Sequence, residues 1–458
     1  MQIQDLVERA VASSAADGCV VLGTDRSATN LRWAGNSLTT NAQTASRSLA
    51  VISTTAAGQV GVVRRAVSTA EEVDRLVRDS EAAAAASSPG DDVAPLVKPY
   101  PNDDDWSGDP ARTSIDVFAG FSDGLARALE AARSSDQALF GFAEHIVEST
   151  FLATSTGLRR RHDQPTGRVE LNAKSPDFTR STYEGVHTRD FADVDVDAMT
   201  AGLAERLSWA QRSIELPAGR YETLLPPSCV ADLLLFAYFA ASARDAAEGR
   251  SVYSRRDPGA PTRVGERLAS LPISMYSDPS RPGLEAAPFV ATAASWGGLE
   301  SVFDNGAPRG RTDWISDGVL TTLPATRSWV GADQPAHPII DNLIVDGGGS
   351  ATLPDMIAST ERGLLLTTLW YIREVDPQTL LVTGLTRDGV YLVENGAVQG
   401  AVNNFRFNES PVDLLGRITE VGVTAPTLPR EWGDWFSRTA MPTLRVPDFN
   451  MSTVSAAS

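Results

Sequence analysis

Leu380–Ser410 reads LLVTGLTRDGVYLVENGAVQGAVNNFRFNES. Runs of Val, Leu, Thr and Tyr alternate there with Arg387-Asp388-Gly389 and Glu394-Asn395-Gly396, and Gly after Asp or Asn suits the left-handed backbone of tight hairpin turns. The stretch predicts strand, turn, strand, turn, strand: a β-meander. Upstream, from RYETLLPP (Arg220–Pro227) onward, the chain continues mostly in short strands and turns. Helices are expected only at VADLLLFAYFAASARD (Val230–Asp245) and LPDMIASTERG (Leu353–Gly363).

The first half reads differently. DLVERAVASSAA (Asp5–Ala16) has apolar residues at helical spacing, and CVVLGTDRSATNLRWAGNSLTTN (Cys19–Asn41) reads as strand, turn, strand. SLAVISTTAAGQVGVVRRAVST (Ser48–Thr69) turns at Ala57-Gly58 and leads into a helix for which Thr69 and Glu72 form a capping box. Residues 87–110 are dense in Pro, Gly and Asp and read as a loop. A helix from Phe118 to Arg133, alternating strands at Ala138–Gly157 and Gly167–Phe191, and a helix at Ala198–Ser213 with Asp197 as N-cap complete this half. The pattern breaks at Leu216-Pro217-Ala218-Gly219. The fold class is therefore α+β in two domains: residues 1–218, an N-terminal α+β unit containing the 87–110 loop, and residues 219–458, β-rich with antiparallel sheets. At 458 residues the chain is long enough for each unit to bury its own core.

A formal charge of -18 opposes a nucleic-acid partner, because phosphate binding draws on clustered Lys and Arg. The one basic run, Arg159-Arg160-Arg161, reads as a solvated loop or strand end. Two cysteines, Cys19 and Cys229, make no disulfide framework, and MQIQDLVERAVASS lacks the basic start and apolar core of a signal peptide. A cytoplasmic location is expected. No membrane contact is expected either, since the longest apolar run, Leu233–Ala243, falls short of the roughly 18 residues that cross a bilayer.

Metal and nucleophile patterns are thin. The four histidines, His145, His162, His187 and His337, are never closer than 17 positions, so no HExxH or HExxxH exists. Glu144-His145 with Glu148 lies in a strand pattern and reads as structural. Asp103-Asp104-Asp105 reads as a solvated acidic run, and Asp193, Asp195 and Asp197 lack the Gly and closing Glu of a calcium loop. Gly347-Gly348-Gly349-Ser350 matches neither a phosphate loop nor a serine elbow and reads as a flexible turn.

TERGLLLTTLWYIREVDPQTLLVTGLTRDGVYLVENGAVQGAVNNFRFNES (Thr360–Ser410) closely resembles the signature C-terminal segment of the TldD/PmbA family of modulators and proteases, and the resemblance extends over nearly the whole chain. The family pairs two kinds of subunit in a heterodimeric metalloprotease. TldD-like chains carry HExxxH on a helix early in the C-terminal domain and a late Cys, and TldE-like (PmbA) chains lack both. Here the matching helix, within 230–245, reads LLFAYF at Leu234–Phe239, and the terminus VPDFNMSTVSAAS has no Cys.

The resemblance thus implies a TldE-like, non-catalytic subunit with no catalytic or metal-binding residue and no cofactor of its own. Zinc is expected in a TldD-like partner, and an extended or unfolded peptide is the expected substrate. Arg387, Asp388, Asn404, Arg406, Asn408 and Glu409 are the candidate residues for a peptide cleft or interface. Two other readings stay open: a homodimeric hydrolase acting without zinc, and a peptide-binding or regulatory module without proteolysis.

Overall fold

The computed structural model describes residues 1–257, 259–331 and 334–455. The N-terminal half begins with α1 (Ile3–Ser13), β1 (Gly18–Ala34), β2 (Ser37–Thr54), β3 (Val60–Ala66) and α2 (Ala70–Ala86). It continues through α3 (Ala119–Ser134), β4 (Ala138–Thr154), β5 (Arg159–Lys174), β6 (Ser181–Thr188) and α4 (Val196–Trp209). The strands form one six-stranded antiparallel sheet in the order β3-β2-β1-β4-β5-β6.

Period-two alternation assigns the sheet's faces. On β1, Cys19 and Val21 meet α1 and α2, while Leu31 and Trp33, further along the same face, meet α3 and α4. The opposite face carries Val20, Leu22, Ala50, Ile52 and Leu152, and these pack on Phe289, Val302 and Phe303 from the second half. The two halves therefore share a core. Thr69 and Glu72 form the expected capping box, whereas the cap of α4 is Asp195, whose Oδ1 accepts the Ala198 N–H at 2.9 Å. Asp197 lies inside the first turn, paired with Arg127.

The basic run is not a solvated end. Arg160 and Arg161 are largely buried at the start of β5, Arg160 on Asp104 at 2.5 Å and Arg161 on Asp163 at 2.9 Å, while Arg159 pairs with Glu8 at 2.7 Å. Asp104 of the acidic run is consumed by this pairing, and it also accepts the Arg161 backbone N–H. His145 is a satisfied core histidine, its two ring nitrogens 2.7 Å from Thr113 Oγ1 and from the Arg189 carbonyl.

The second half opens with β7 (Ser213–Ile214), β8 (Gly219–Leu225) and α5 (Pro227–Phe239). Its sheet is mixed and mainly antiparallel, with the long strand Thr439–Val454 as hub: that strand pairs with β8, Leu343–Asp346, Phe405–Glu409 and Glu420–Thr427. β7 adds to its far edge beside Ala397–Val402. α5 lies in the largest apolar cluster, and its side chains are apolar on nearly every face, as a fully buried helix requires. The helix expected over 230–245 is shorter at its C-terminus. It breaks at Ala240–Ser242, and Ser242 caps a separate turn of helix, Ala243–Ala247, through the Asp245 N–H.

The meander is also corrected. Leu381–Thr386 pairs with Leu369–Asp376 and with Phe405–Glu409, not with Val390–Glu394, which pairs with Arg362–Leu366 and Ala397–Val402. Residues 362–376 and 381–394 thus make one long two-stranded ribbon whose turn is at Pro377–Leu380. Arg387-Asp388-Gly389 is a kink along it, facing Thr367-Thr368 through the Thr367 N–H to Gly389 C=O bond at 2.9 Å. The Asn395-Gly396 turn is the hairpin the sequence predicts, with φ of 53° and 77°. Among the described residues no helix is long and apolar enough to cross a membrane.

Candidate functional site

α5 starts on Pro226-Pro227, where a missing N–H costs nothing, and its one charged side chain is Asp232. Asp232 is 0% exposed. Its Oδ1 accepts the Glu431 N–H at 2.8 Å and its backbone carbonyl accepts Trp432 Nε1–H at 3.2 Å, so the segment around Arg430–Phe436 is laid along this face of the helix. Oδ2 has no partner. Burial, reinforced by the Glu431 charge, drives the Asp232 carboxyl well above the usual carboxylate range, against the pull of the Glu431 N–H and the Arg430 charge.

Arg430 is the hinge of the cluster. Its Nη2 donates to Asp388 Oδ2 at 2.9 Å, its guanidinium lies 4.1 Å from the Tyr183 ring centre and 5.1 Å from that of Trp370, and its Nη1 is buried without a partner. Ser181 Oγ donates to the other Asp388 oxygen. Glu431 meanwhile accepts the Tyr371 N–H at 2.8 Å, the Ile372 N–H at 3.2 Å and Arg373 Nη1 at 2.7 Å. Four pieces of the fold meet here: α5, the ribbon at its kink, the 430–436 segment, and edge strand β6 of the first half. Beside them a groove of about 350 Å³ runs between β6, α4 and the start of α5, lined by Tyr183, Glu184, Arg206, Trp209, Ser228 and Thr367. Burial raises the Glu184 carboxyl although Arg206 pairs with it.

The rest of α5 is an aromatic wall. Phe239 lies 5.0 Å from Trp432, 5.4 Å from Trp296 and 5.6 Å from Phe436 between ring centres, and Phe236 is 4.9 Å from Trp432. Along Leu234–Phe239 the only heteroatom side chain is Tyr238, whose hydroxyl is engaged by the Ile340 backbone. No group of three or more His, Cys, Asp or Glu among the described residues is placed to hold a metal ion. These residues do not fit zinc. Cys229, one turn before Asp232, is wholly buried, and its thiol donates to the Leu366 carbonyl at 3.2 Å.

Of the six cleft candidates, Asp388 belongs to this cluster, with Arg387 3.6 Å from it. The other four lie at or on Phe405–Glu409. Arg406 Nη1 donates to Thr383 Oγ1 at 3.3 Å, Asn404 Oδ1 accepts Thr386 Oγ1 at 3.3 Å, and Asn408 Oδ1 is buried without a hydrogen-bond partner. Glu409 is paired with Arg417 and accepts the Asn450 N–H at 2.7 Å. Asp232, Arg430, Glu431 and Tyr183 escaped the sequence reading, although a lone Asp within an apolar helix was a usable signal.

A β-rich domain wrapped around one buried helix, joined to an α+β domain through a shared core, is the architecture of a known class of metallopeptidase-like proteins. Residues 218–453 match the PmbA/TldA metallopeptidase C-terminal domain and residues 109–211 the PmbA/TldA metallopeptidase central domain, so the chain belongs to the PmbA/TldD family. No curated protein matches it by sequence. Among solved structures, TldE from Thermococcus kodakarensis is similar at a TM-score of 0.75 and 15% identity, covering 98% of this chain and 99% of that one. A candidate modulator of a DNA gyrase from Thermotoga maritima follows at 0.76 and 16%, over 98% and 99% of the two chains. A candidate modulator of DNA gyrase from Bacteroides thetaiotaomicron is similar at 0.75 and 15%, over 99% and 98%. At such identities the shared property is the fold.

Proposed function

We propose that this chain is the TldE-like, non-catalytic subunit of a heterodimeric metalloprotease, closing over a TldD-like subunit that carries the zinc and helping to hold an extended or unfolded peptide. The observation that carries the reading is the helix: at Leu234–Phe239 it offers side chains for packing and none for a metal, inside a family whose C-terminal domain is that of metallopeptidases. Extended peptides bind by main-chain hydrogen bonds to a sheet edge, which is indifferent to their sequence, and the groove beside edge strand β6 is a place for one. The net charge of -18 opposes a nucleic-acid partner and supports a protein one.

The test is co-expression with a chain from the same genome bearing HExxxH and a late Cys, followed by native mass spectrometry, metal analysis and a peptide-cleavage assay. A 1:1 complex with one zinc, active only when both chains are present, is the expected result. Peptidase activity and bound zinc in this chain alone would overturn the proposal.

A further inference from the structure

The segment that leaves α5 at Trp432 passes between the two halves on its way to the hub strand. Phe436 is sunk in the core, 5.6 Å from Phe239 between ring centres. Its neighbours Trp435, Ser437 and Arg438 line a cavity of about 120 Å³, whose other wall is Glu144 of β4 with Thr166 and Arg168 of β5. The two arginines are held there on opposite terms. Arg168 is surrounded by carboxylates: Asp434, Glu144 at 3.5 Å and Glu170 at 3.5 Å. Arg438 has no ion pair among the described residues. Its Nε donates to the Asp341 carbonyl at 3.0 Å and its Nη1 to Thr166 Oγ1 at 3.1 Å, while Nη2 makes no hydrogen bond among those residues. The Asp341 carboxylate is turned to Arg309, at 3.6 Å. Burial holds the Arg438 guanidinium below its ordinary value, against the pull of the Asp341 charge. Beside it, Ser437 is only 7% exposed, and its hydroxyl too has no hydrogen-bond partner among the described residues. Sequestered cations and hydroxyls are normally paired, and here one unsatisfied group of each kind lines the same cavity.

We propose that this cavity is a binding site for a carboxylate, borne at the C-terminus of a peptide or on one of its acidic side chains. Arg438 Nη2 supplies the charge and two N–H donors, and Ser437 Oγ–H supplies another. Thr166, whose oxygen already accepts from Arg438, has its own hydroxyl proton to give. Glu144 and Asp434 do not compete for Arg438, because Arg168 engages both. At about 120 Å³ the cavity is smaller than the roughly 300 Å³ at which a pocket encloses a whole small ligand, so it takes one end of a longer one. Trp435, 86% exposed, offers an indole face to the apolar residue next to that carboxylate. The site is separate from the groove beside β6. That its ligand is a peptide rests on the reading above, whereas the carboxylate pairing rests on Arg438 and Ser437.

The experiment is ligand-observed NMR and calorimetry on the full chain with four probes: an N-acetylated tripeptide ending in leucine with a free carboxylate, the same peptide amidated, an amidated tripeptide carrying one aspartate, and butyrate. The free acid is expected to bind roughly tenfold or more tightly than its amide. Arg438→Met should abolish that preference, and Ser437→Ala, which removes a hydroxyl that holds nothing in the fold, should weaken it severalfold and keeps the test open should Arg438→Met fold poorly. Trp435→Ala should weaken the peptide and leave butyrate unchanged. An amidated aspartate peptide that binds as tightly as the free acid, and is lost in Arg438→Met, would support the site and assign it to side-chain carboxylates. Butyrate binding that Arg438→Met removes, with no peptide bound, would support the carboxylate site and overturn the peptide reading. Equal binding of acid and amide, binding of every carboxylate unaltered in Arg438→Met and Ser437→Ala, or no binding of any probe would overturn the proposal.

Discussion

Gly389 and Thr367 face each other so closely that a β-carbon at 389 would lie 1.9 Å from Thr367 Oγ1. Gly389 also has φ of +150°, which L side chains rarely adopt. The ribbon therefore bends where a residue without a side chain leaves room for the Thr367 side chain against the backbone. Gly389→Ala should destabilise the protein by about 3 kcal/mol, the sum of overpacking and backbone strain. Thr367→Ala added to it should recover the overpacking part and leave the strain. Chemical denaturation of the two single variants and the double variant measures this, and strict additivity would show that the contact is not the cause.

Asp232 folds into a site that favours its protonated form, so the sign of its linkage is fixed: the folded carboxyl titrates above the unfolded one. Its contribution to stability is complete below the unfolded value near 3.8 and is lost as pH rises toward the raised folded value. Asp232→Asn keeps the acceptor for the Glu431 N–H and carries no charge. It should match wild type in acid and exceed it at pH 8. Asp232→Leu, which strands that N–H in the core, should cost about 1–3 kcal/mol at every pH. Urea midpoints at pH 4 and pH 8 separate the two.

Two further buried groups titrate in one window with opposite signs. Burial pushes His187 down to about 4, so its contribution is present above the unfolded value of 6.5 and is lost as pH falls through the folded one. Burial pushes Asp304 up to about 6, so its contribution is present below 3.8 and is lost as pH rises through 6. Each is worth on the order of 3 kcal/mol across its window, and in the wild type they offset one another. Subtracting the wild-type stability curve, His187→Gln should show a difference that falls between pH 4 and 6.5, and Asp304→Asn one that rises between pH 4 and 6.

Neither thiol should react in the native protein. Cys19 is buried and its pKa is pushed up to about 11 by desolvation, and the Cys229 thiol is raised well above its ordinary range by complete burial and, secondarily, by the Asp232 charge. A disulfide-exchange reagent at pH 8 should find no sulfhydryl per chain before denaturant is added and two after it. Rapid native labelling of Cys229 would mean that the α5 core opens readily.

Local chemistry was legible and distant pairing was not. The Thr69–Glu72 capping box and the Asn395-Gly396 turn follow from neighbours in sequence, and both are where the residues put them. Asp388-Gly389 has the same turn-forming letters, yet it sits mid-ribbon because the partner of Leu381–Thr386 is Leu369–Asp376, and the reversal falls at Pro377–Leu380. Asp195 rather than Asp197 caps α4 because the helix starts two residues earlier than its apolar pattern suggests. Asp232 could be seen but not weighed. Its role depends on Glu431, 199 positions away, whose N–H it holds. Likewise Arg160 looks solvated until Asp104, 56 positions earlier, is brought to it.

The packing of Val20, Leu22 and Leu152 on Phe289, Val302 and Phe303 means that the chain cannot be cut near residue 218 without baring apolar surface on both pieces. Ser213–Ile214, before that point, is already a strand of the second sheet, and Arg430 clasps β6 from the other side. The halves are thus one cooperative unit: they should melt together in a single transition.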